Sequence, residues 1–230
     1  MNSLNNAITD AKATHIPRKK FAFKRKAKAK ALAAAASVTG ACEAASGSAA
    51  LSEVEEAVRR NPDRAFANLA DQENVLEKAP LSFEPGADFV LFHLDNCKVS
   101  LKERVGTLRL ERLRNCSVTV GAVTRSIFVN DCEGCTFVFS SQQLRIHNCT
   151  SVDFYVHMRS GPIIEDCTKL RFAPTLAFTF PEMAAQRADA GLDFGLDGNQ
   201  WADVKDFKWL RREQSPNWCI IPEAERDSQL

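Results

Sequence analysis

The octapeptide Leu94-Asp95-Asn96-Cys97-Lys98-Val99-Ser100-Leu101, LDNCKVSL, recurs with variations through the middle of the chain. LRNCSVTV starts at 113, VNDCEGCTFVF at 129, IHNCTSVDFYV at 146 and IEDCTKLRF at 164. Each copy reads apolar residue, any residue, Asn or Asp, Cys, then an alternating strand. Aligned on Cys97, Cys116, Cys132, Cys149 and Cys167, successive units are 19, 16, 17 and 18 residues long. Units this short have no room for a helix and suit one turn of a parallel β-helix built from two or three short strands. Asn and Asp tolerate the left-handed backbone of a corner and bond neighbouring amides there. The Cys that follows points inward, a small apolar side chain able to stack on its equivalent one rung away. The expected fold is all-β, a parallel β-helix of about five rungs.

The repeat accounts for five of the eight cysteines as inward core positions. Cys132-Glu133-Gly134-Cys135 is a CxxC with His147 and His157 downstream, but a zinc ribbon needs a second close pair and Cys132 is already a repeat position, so no metal is assigned. The first 30 residues set their charge beside Asn, Lys and Ala rather than before an apolar core, so no secretory signal is read, a reducing cytoplasm is expected and disulfides are not. No run of 18 apolar residues occurs, Asn2 excludes myristoylation, and the last residues offer no Cys for prenylation, so no membrane anchor is expected. A net charge of +1 with 26% charged residues gives no global reason to expect nucleic acid.

At 230 residues the chain suits one main domain with a tail. Residues 1–50 are polar, then basic, then rich in Ala, Ser and Gly. RKKFAFKRKAKAK over residues 18–30 carries eight positive charges, Arg18, Lys19, Lys20, Lys24, Arg25 and Lys26 among them, and no negative one. Such a block repels itself and reads as disordered. A solvated tail, an import-like patch and a docking arm for an acidic partner, anchored by Phe21 and Phe23, all fit it. Residues 51–80 read as a short helical cap and linker: Leu51, Val54 and Val58 have helical spacing, Ser52 and Glu55 form a capping box, and Pro62 ends the helix or starts a turn. Residues 81–230 hold the β-helix, with a capping segment from about 175 that carries Trp201, Phe207, Trp209 and Trp218. Within it, PEMAAQRADAG over residues 181–191 reads as a helix with Pro in its first turn and Gly as its stop.

One strand departs from the apolar pattern. In SSQQLRIHNC, residues 140–149, a period of two turns Leu144 and Ile146 inward and puts Gln143, Arg145 and His147 on the outer face. Counting back from each Cys sets Phe128 and Ile163 level with Arg145. Glu165 takes the place of His147 one rung on, a diagonal neighbour within reach of a long side chain. An exposed Arg in a weak ion pair is ordinary, but two adjacent glutamines, an aromatic bed and a carboxylate single this one out. No Gly-rich phosphate loop, HExxH or unexplained nucleophile with a nearby His competes with it, and no carboxylate pair is marked for acid and base work. His147, beside Arg145, is either solvated or part of a binding surface.

SSQQLRIHNC followed by DFYVHMRSGPIIEDCTKLRFAP resembles the C-terminal domain of the tubulin-folding cofactor C family, in which a QQLR-type strand precedes a PIIE-type strand by one rung. The likeness continues through NQWADVKDFKWLRREQSPNW, residues 199–218, and KKFAFKRK resembles the family's basic linker, so it covers about residues 18–222. The same domain occurs in the ciliary GTPase activator altered in X-linked retinitis pigmentosa, and a related β-helix ends the cyclase-associated actin-binding proteins. The resemblance implies a right-handed β-helix and an arginine finger, Arg145, supplied in trans to a GTPase. It places Gln142 and Gln143 at the interface, Glu165 as the residue that orients the finger, and Phe207 at the GTPase contact; Phe128 and His147 share that surface. The activity implied is stimulation of GTP hydrolysis by tubulin, on the nucleotide of the β subunit, with cofactors D and E, to release the αβ heterodimer. This chain would bind no cofactor of its own. Its location would be the cytoplasm, with microtubule, centrosome or basal-body association. The alternatives are activation of an Arf-like small GTPase and a non-catalytic scaffold of the actin-binding type. Cofactor C usually begins with a helical tubulin-binding domain of on the order of 100 residues, for which the tail here has no length, and residues 18–30 are the expected substitute, meeting acidic tubulin tails. Lipid signals and a kinase-like domain, carried by the retinitis protein, are not found in this sequence, which favours the tubulin reading.

Overall fold

The computed structural model describes residues 52–73, 86–175 and 181–226. The basic block from Arg18 to Lys26, and the tail read as disordered, lie outside the described residues.

The strands are β1 (Ala65–Ala70), β2 (Phe89–Asp95), β3 (Lys98–Leu101), β4 (Leu108–Arg114), β5 (Ser117–Asn130), β6 (Thr136–His147), β7 (Asp153–Met158), β8 (Ile163–Glu165), β9 (Leu170–Pro174), β10 (Lys205–Asp206) and β11 (Trp218–Ile220). All of their pairings are parallel. One side stacks β1, β2, β4, the end of β5, the end of β6, β8 and β10; the other stacks β3, the start of β5, the start of β6, β7, β9 and β11. β5 and β6 are long enough to bend from one side to the other, and the register slips at those bends. The result is a parallel β-helix of about five turns. Leu91, Leu110, Val129, Ile146 and Ile164 lie in register and are fully buried, so the rungs are 19, 19, 17 and 18 residues long.

These lengths correct the alignment on cysteine at one place. Ser117 pairs with Thr136, which sets Cys116 beside Cys135 rather than Cys132, and the Cys116 amide donates to the Cys135 Sγ at 3.4 Å. Cys132 instead continues the column of Leu94 and Leu113, followed by Cys149 and Cys167. The second column runs Cys97, Cys116, Cys135, Val152, Leu170. The corner itself explains the slip. Each turn holds two residues at φ near +50 to +63°, three apart: Asn68 and Asp71, His93 and Asn96, Arg112 and Asn115, Asp131 and Gly134, Asn148 and Ser151, Asp166 and Lys169. Each left-handed residue is followed by a position on a stacked column, so Asn or Asp before Cys suits either place, and the motif moves by three residues between the second and third rungs. The six thiols of the two columns are buried and unbridged. Each donates to the carbonyl two residues earlier, as Cys149 does to His147 at 3.1 Å. Hydrogen bonding along the column, with burial, holds the Cys149 and Cys167 thiols well above their ordinary range, so they are protonated core groups. Among the described residues no cluster of three or more His, Cys, Asp or Glu side chains converges as metal ligands would.

The first helix, α1 (Glu53–Arg60), has the full capping box: Glu55 N donates to Ser52 Oγ at 3.3 Å and Ser52 N to Glu55 Oε2 at 2.8 Å. Pro62 opens a 3-10 turn directly after it. Residues 51–80 are nonetheless not only helix and linker, because β1 pairs with β2 and Phe66 packs on Phe89 at 5.2 Å, adding a rung before residue 81. Its corner keeps the left-handed pair but puts Gln72 where later turns have Cys97 and Cys116, which hides it from the repeat. At the far end β10 and β11 add a partial row, and Trp201, Val204 and Trp218 pack on the core, Trp218 edge-on to Phe172 at 6.0 Å. The second helix, α2 (Met183–Asp189), runs into Gly191 at φ +64°.

Candidate functional site

The site begins at the bend of β6. Ser140 and Ser141 are completely buried, and α2 with the residues after it lies against this bend as a strap. Arg187 Nε donates to Ser140 Oγ at 2.8 Å and its Nη2 to Thr175 Oγ1 at 2.6 Å. His157, pushed below its usual pKa by burial and by the nearby Arg187, contacts the Leu192 carbonyl through Nε2 at 3.0 Å and stacks on Phe194 at 4.4 Å. Gln142 belongs to this clasp. Its Nε2 donates to the Ala190 carbonyl at 2.7 Å, and its own carbonyl accepts from Ser160 Oγ at 2.8 Å. The two glutamines expected side by side at an interface are therefore separated: Gln142 is half-buried and tied to the strap, whereas Gln143 is exposed.

Beyond the bend the alternation holds. Leu144 and Ile146 are buried, Arg145 is exposed, and His147 is half-exposed. The register aligns Arg109, Phe128, Arg145, Ile163 and Lys205 in one outer row. Phe128, 43% exposed, and Ile163 flank Arg145 at the strand spacing of about 4.8 Å. A hollow of about 200 Å³ opens beside it, lined by Gln143, Leu144, Arg145, Ser160, Gly161, Ile163 and Lys205. Lys205 was not singled out in sequence because its strand is two residues long and carries no repeat signature. The adjacent row runs Asn130, His147, Glu165, and Phe207 follows β10 beside it, 54% exposed, its amide bonded to the Ile164 carbonyl at 3.0 Å.

The strand arginines are unevenly satisfied. Arg109 is met by Glu111, Arg112 by Glu55, Arg114 by Asp131, Arg125 by Asp88 and Arg171 by Asp153. Arg145 is the strand arginine with no hydrogen bond or ion pair among the described residues. Glu165, the diagonal neighbour expected to hold it, lies 3.7 Å from His147 Nε2 and 3.7 Å from Lys208 Nζ instead. Lys208 also bonds Asp166, which raises its pKa. The carboxylate is thus committed on both sides, and the guanidinium beside it is free. Such a face offers an unspent, permanently charged fork between two apolar side chains.

The sequence pattern of the family described as tubulin binding cofactor C matches residues 86–207. Tubulin-specific chaperone C of Mus musculus is 36% identical over 227 residues, spanning 98% of this chain and 65% of that protein. Tubulin-folding cofactor C of Arabidopsis thaliana is 45% identical over 151 residues, 65% of this chain and 43% of that one. The solved structure of tubulin binding cofactor C from Leishmania major is 25% identical, with a TM-score of 0.48 over 63% of this chain and 89% of that one. The chain therefore spans just under two thirds of the mouse relative's length.

Proposed function

The chain belongs to the tubulin binding cofactor C family, and we propose that it stimulates GTP hydrolysis by tubulin, inserting Arg145 as an arginine finger. The observation that carries this reading is the unpaired Arg145 in a row whose other arginine, Arg109, is paired. A guanidinium already bonded to a carboxylate would have to break that pair before meeting a phosphate; Arg145 breaks nothing. Docking would bury Phe128 and Ile163 around it, and a drier, lower-dielectric setting strengthens its attraction for phosphate oxygens.

The chemistry belongs to the partner's nucleotide. Water attacks the γ-phosphorus, the bond to the β-phosphate oxygen breaks, and charge spreads over the γ-oxygens and the leaving oxygen. A planar, forked, permanently charged group placed there stabilises the transition state more than the ground state, worth about 10³ to 10⁵ in rate. Gln142 and the strap fix the strand from behind. Glu165, held by Lys208, keeps His147 in place next to the finger without neutralising it. In this reading the chain acts in the cytoplasm with cofactors D and E, and hydrolysis releases the αβ heterodimer.

Phosphate release from GTP-loaded tubulin with cofactors D and E, measured with the wild type and with Arg145→Lys, tests it. Lysine keeps the charge and loses the fork, so most of the stimulation should vanish while the circular dichroism spectrum is unchanged. Full activity of Arg145→Lys contradicts the finger. Stimulation of an Arf-like small GTPase and not of tubulin contradicts the partner.

A further inference from the structure

The segment after β10 carries a side chain that neither the fold nor the finger uses. Leu210 is 93% exposed, against 43% for Phe128 and 54% for Phe207. A lone exposed leucine on a floppy loop means little, but this loop is built to hold its shape. The Asp206 carboxylate sits at its centre and accepts from Lys208 N at 3.1 Å, Ser215 Oγ at 2.7 Å and Asn217 Nδ2 at 2.7 Å. Burial alone would raise the pKa of this carboxyl, yet the hydrogen bonds from Asn217, Ser215 and the Lys208 and Trp209 amides hold it below the ordinary range. Trp209 closes the loop, its Nε1 donating to the Glu213 carbonyl at 2.8 Å, and Arg211 lies over the indole at 5.0 Å. The tip therefore presents Leu210 between Trp209 and two arginines, Arg211 and Arg212, neither of which has an ion pair among the described residues. The loop is continuous with the finger's face, because Lys205 lines the hollow beside Arg145 and Phe207 bonds to β8.

We propose that residues 207–213 form a second docking element for the GTPase, with Leu210 entering an apolar pocket whose rim is acidic. The occupant follows from the chemistry of the tip: an apolar anchor calls for a dry hole, and two unpaired guanidinium groups beside it call for carboxylates around that hole. A preordered loop loses little conformational freedom on binding, so the contact is turned into affinity rather than spent on ordering. The two elements divide the work. The loop holds the partner in ground and transition states alike and sets KM, while Arg145 acts in the transition state and sets kcat. This inference rests on the reading that the partner is a GTPase, tubulin in the first place.

The test measures two quantities on the full chain: the Kd for tubulin loaded with a non-hydrolysable GTP analogue, and stimulated phosphate release from GTP-loaded tubulin with cofactors D and E. Leu210→Ser and the double substitution Arg211→Glu, Arg212→Glu are compared with the wild type after circular dichroism shows all three folded. The expected result is a rise of about tenfold or more in Kd and KM, with kcat within about twofold of wild type. If the wild type binds and stimulates and both variants match it in Kd and KM, the loop is not a docking element and the finger stands. If the wild type binds without stimulating, and the variants bind more weakly, the loop stands and the finger reading fails. Absence of wild-type binding overturns both for tubulin.

Discussion

Gly161→Ala should detach the last row of the solenoid. A Cβ at this position would lie 2.0 Å from the Asp203 carbonyl oxygen and 2.9 Å from its carbonyl carbon. Both are backbone atoms, so no rotamer change relieves the clash, and the chain from 203 onward must lift away. Lifting it breaks Lys205 N to the Pro162 carbonyl, 2.8 Å, and Phe207 N to the Ile164 carbonyl, 3.0 Å. Two such bonds contribute about 2 kcal/mol net, and partial exposure of Val204 and Trp201, which pack on the core, costs about another 1 kcal/mol. Alanine returns about 0.4 to 1 kcal/mol by restricting the unfolded chain. The net loss is about 2 to 3 kcal/mol, which for a chain of this size lowers Tm by roughly 4 to 12 °C. Urea and thermal unfolding followed by circular dichroism read it directly. Gly195→Ala is the control, since a Cβ there meets nothing within 4 Å, and it should be neutral or stabilising by up to about 1 kcal/mol. Because the lifted segment carries Phe207 and Leu210 and not Arg145, KM should rise more than kcat falls. A Gly161→Ala protein with the urea midpoint of the wild type would refute the close approach of the two backbones.

Two further outcomes follow from the corners and the strap. Ser151 sits at φ +55° on an exposed corner, so Ser151→Val should destabilise by about 1 to 2 kcal/mol while Ser151→Gly is neutral or better; equal urea midpoints for the two would contradict a left-handed corner. His157 has its pKa lowered by burial and by Arg187, so the unfolded chain takes up its proton first and stability is lost as pH falls below about 6.5. His157→Gln should flatten that part of the stability profile between about pH 7 and 5, and an unchanged acid slope would show that the imidazole is not responsible.

Much of this was legible because a β-helix writes its corners into the sequence. Asn or Asp at a left-handed residue, followed by a small buried Cys, announced four corners beyond Cys97, and a period of two placed Arg145 outward with Phe128 and Ile163 beside it. The same economy hid other parts. Both positions of a corner accept the same residues, so Cys132 was aligned with Cys116 when Cys135 is its true neighbour. β1 lacked the signature because Gln72 replaces the cysteine, and β10, two residues long, is defined only by the backbone it lies against. The site followed the same division. Which way Arg145 faces is a matter of local periodicity. That Glu165 turns to Lys208, and Gln142 to Ala190, depends on partners 43 and 48 residues away in the chain, which no spacing reveals.

The most direct test of the central claim is single-turnover phosphate release from GTP-loaded tubulin with cofactors D and E, comparing wild type and Arg145→Ala at saturating concentrations. Arg145 bonds to nothing among the described residues, so its removal should leave folding unchanged, and saturating concentrations keep any change in affinity out of the measured rate. An arginine finger predicts loss of nearly all of a stimulation of about 10³-fold or more. Retention of wild-type stimulation by Arg145→Ala would contradict the account.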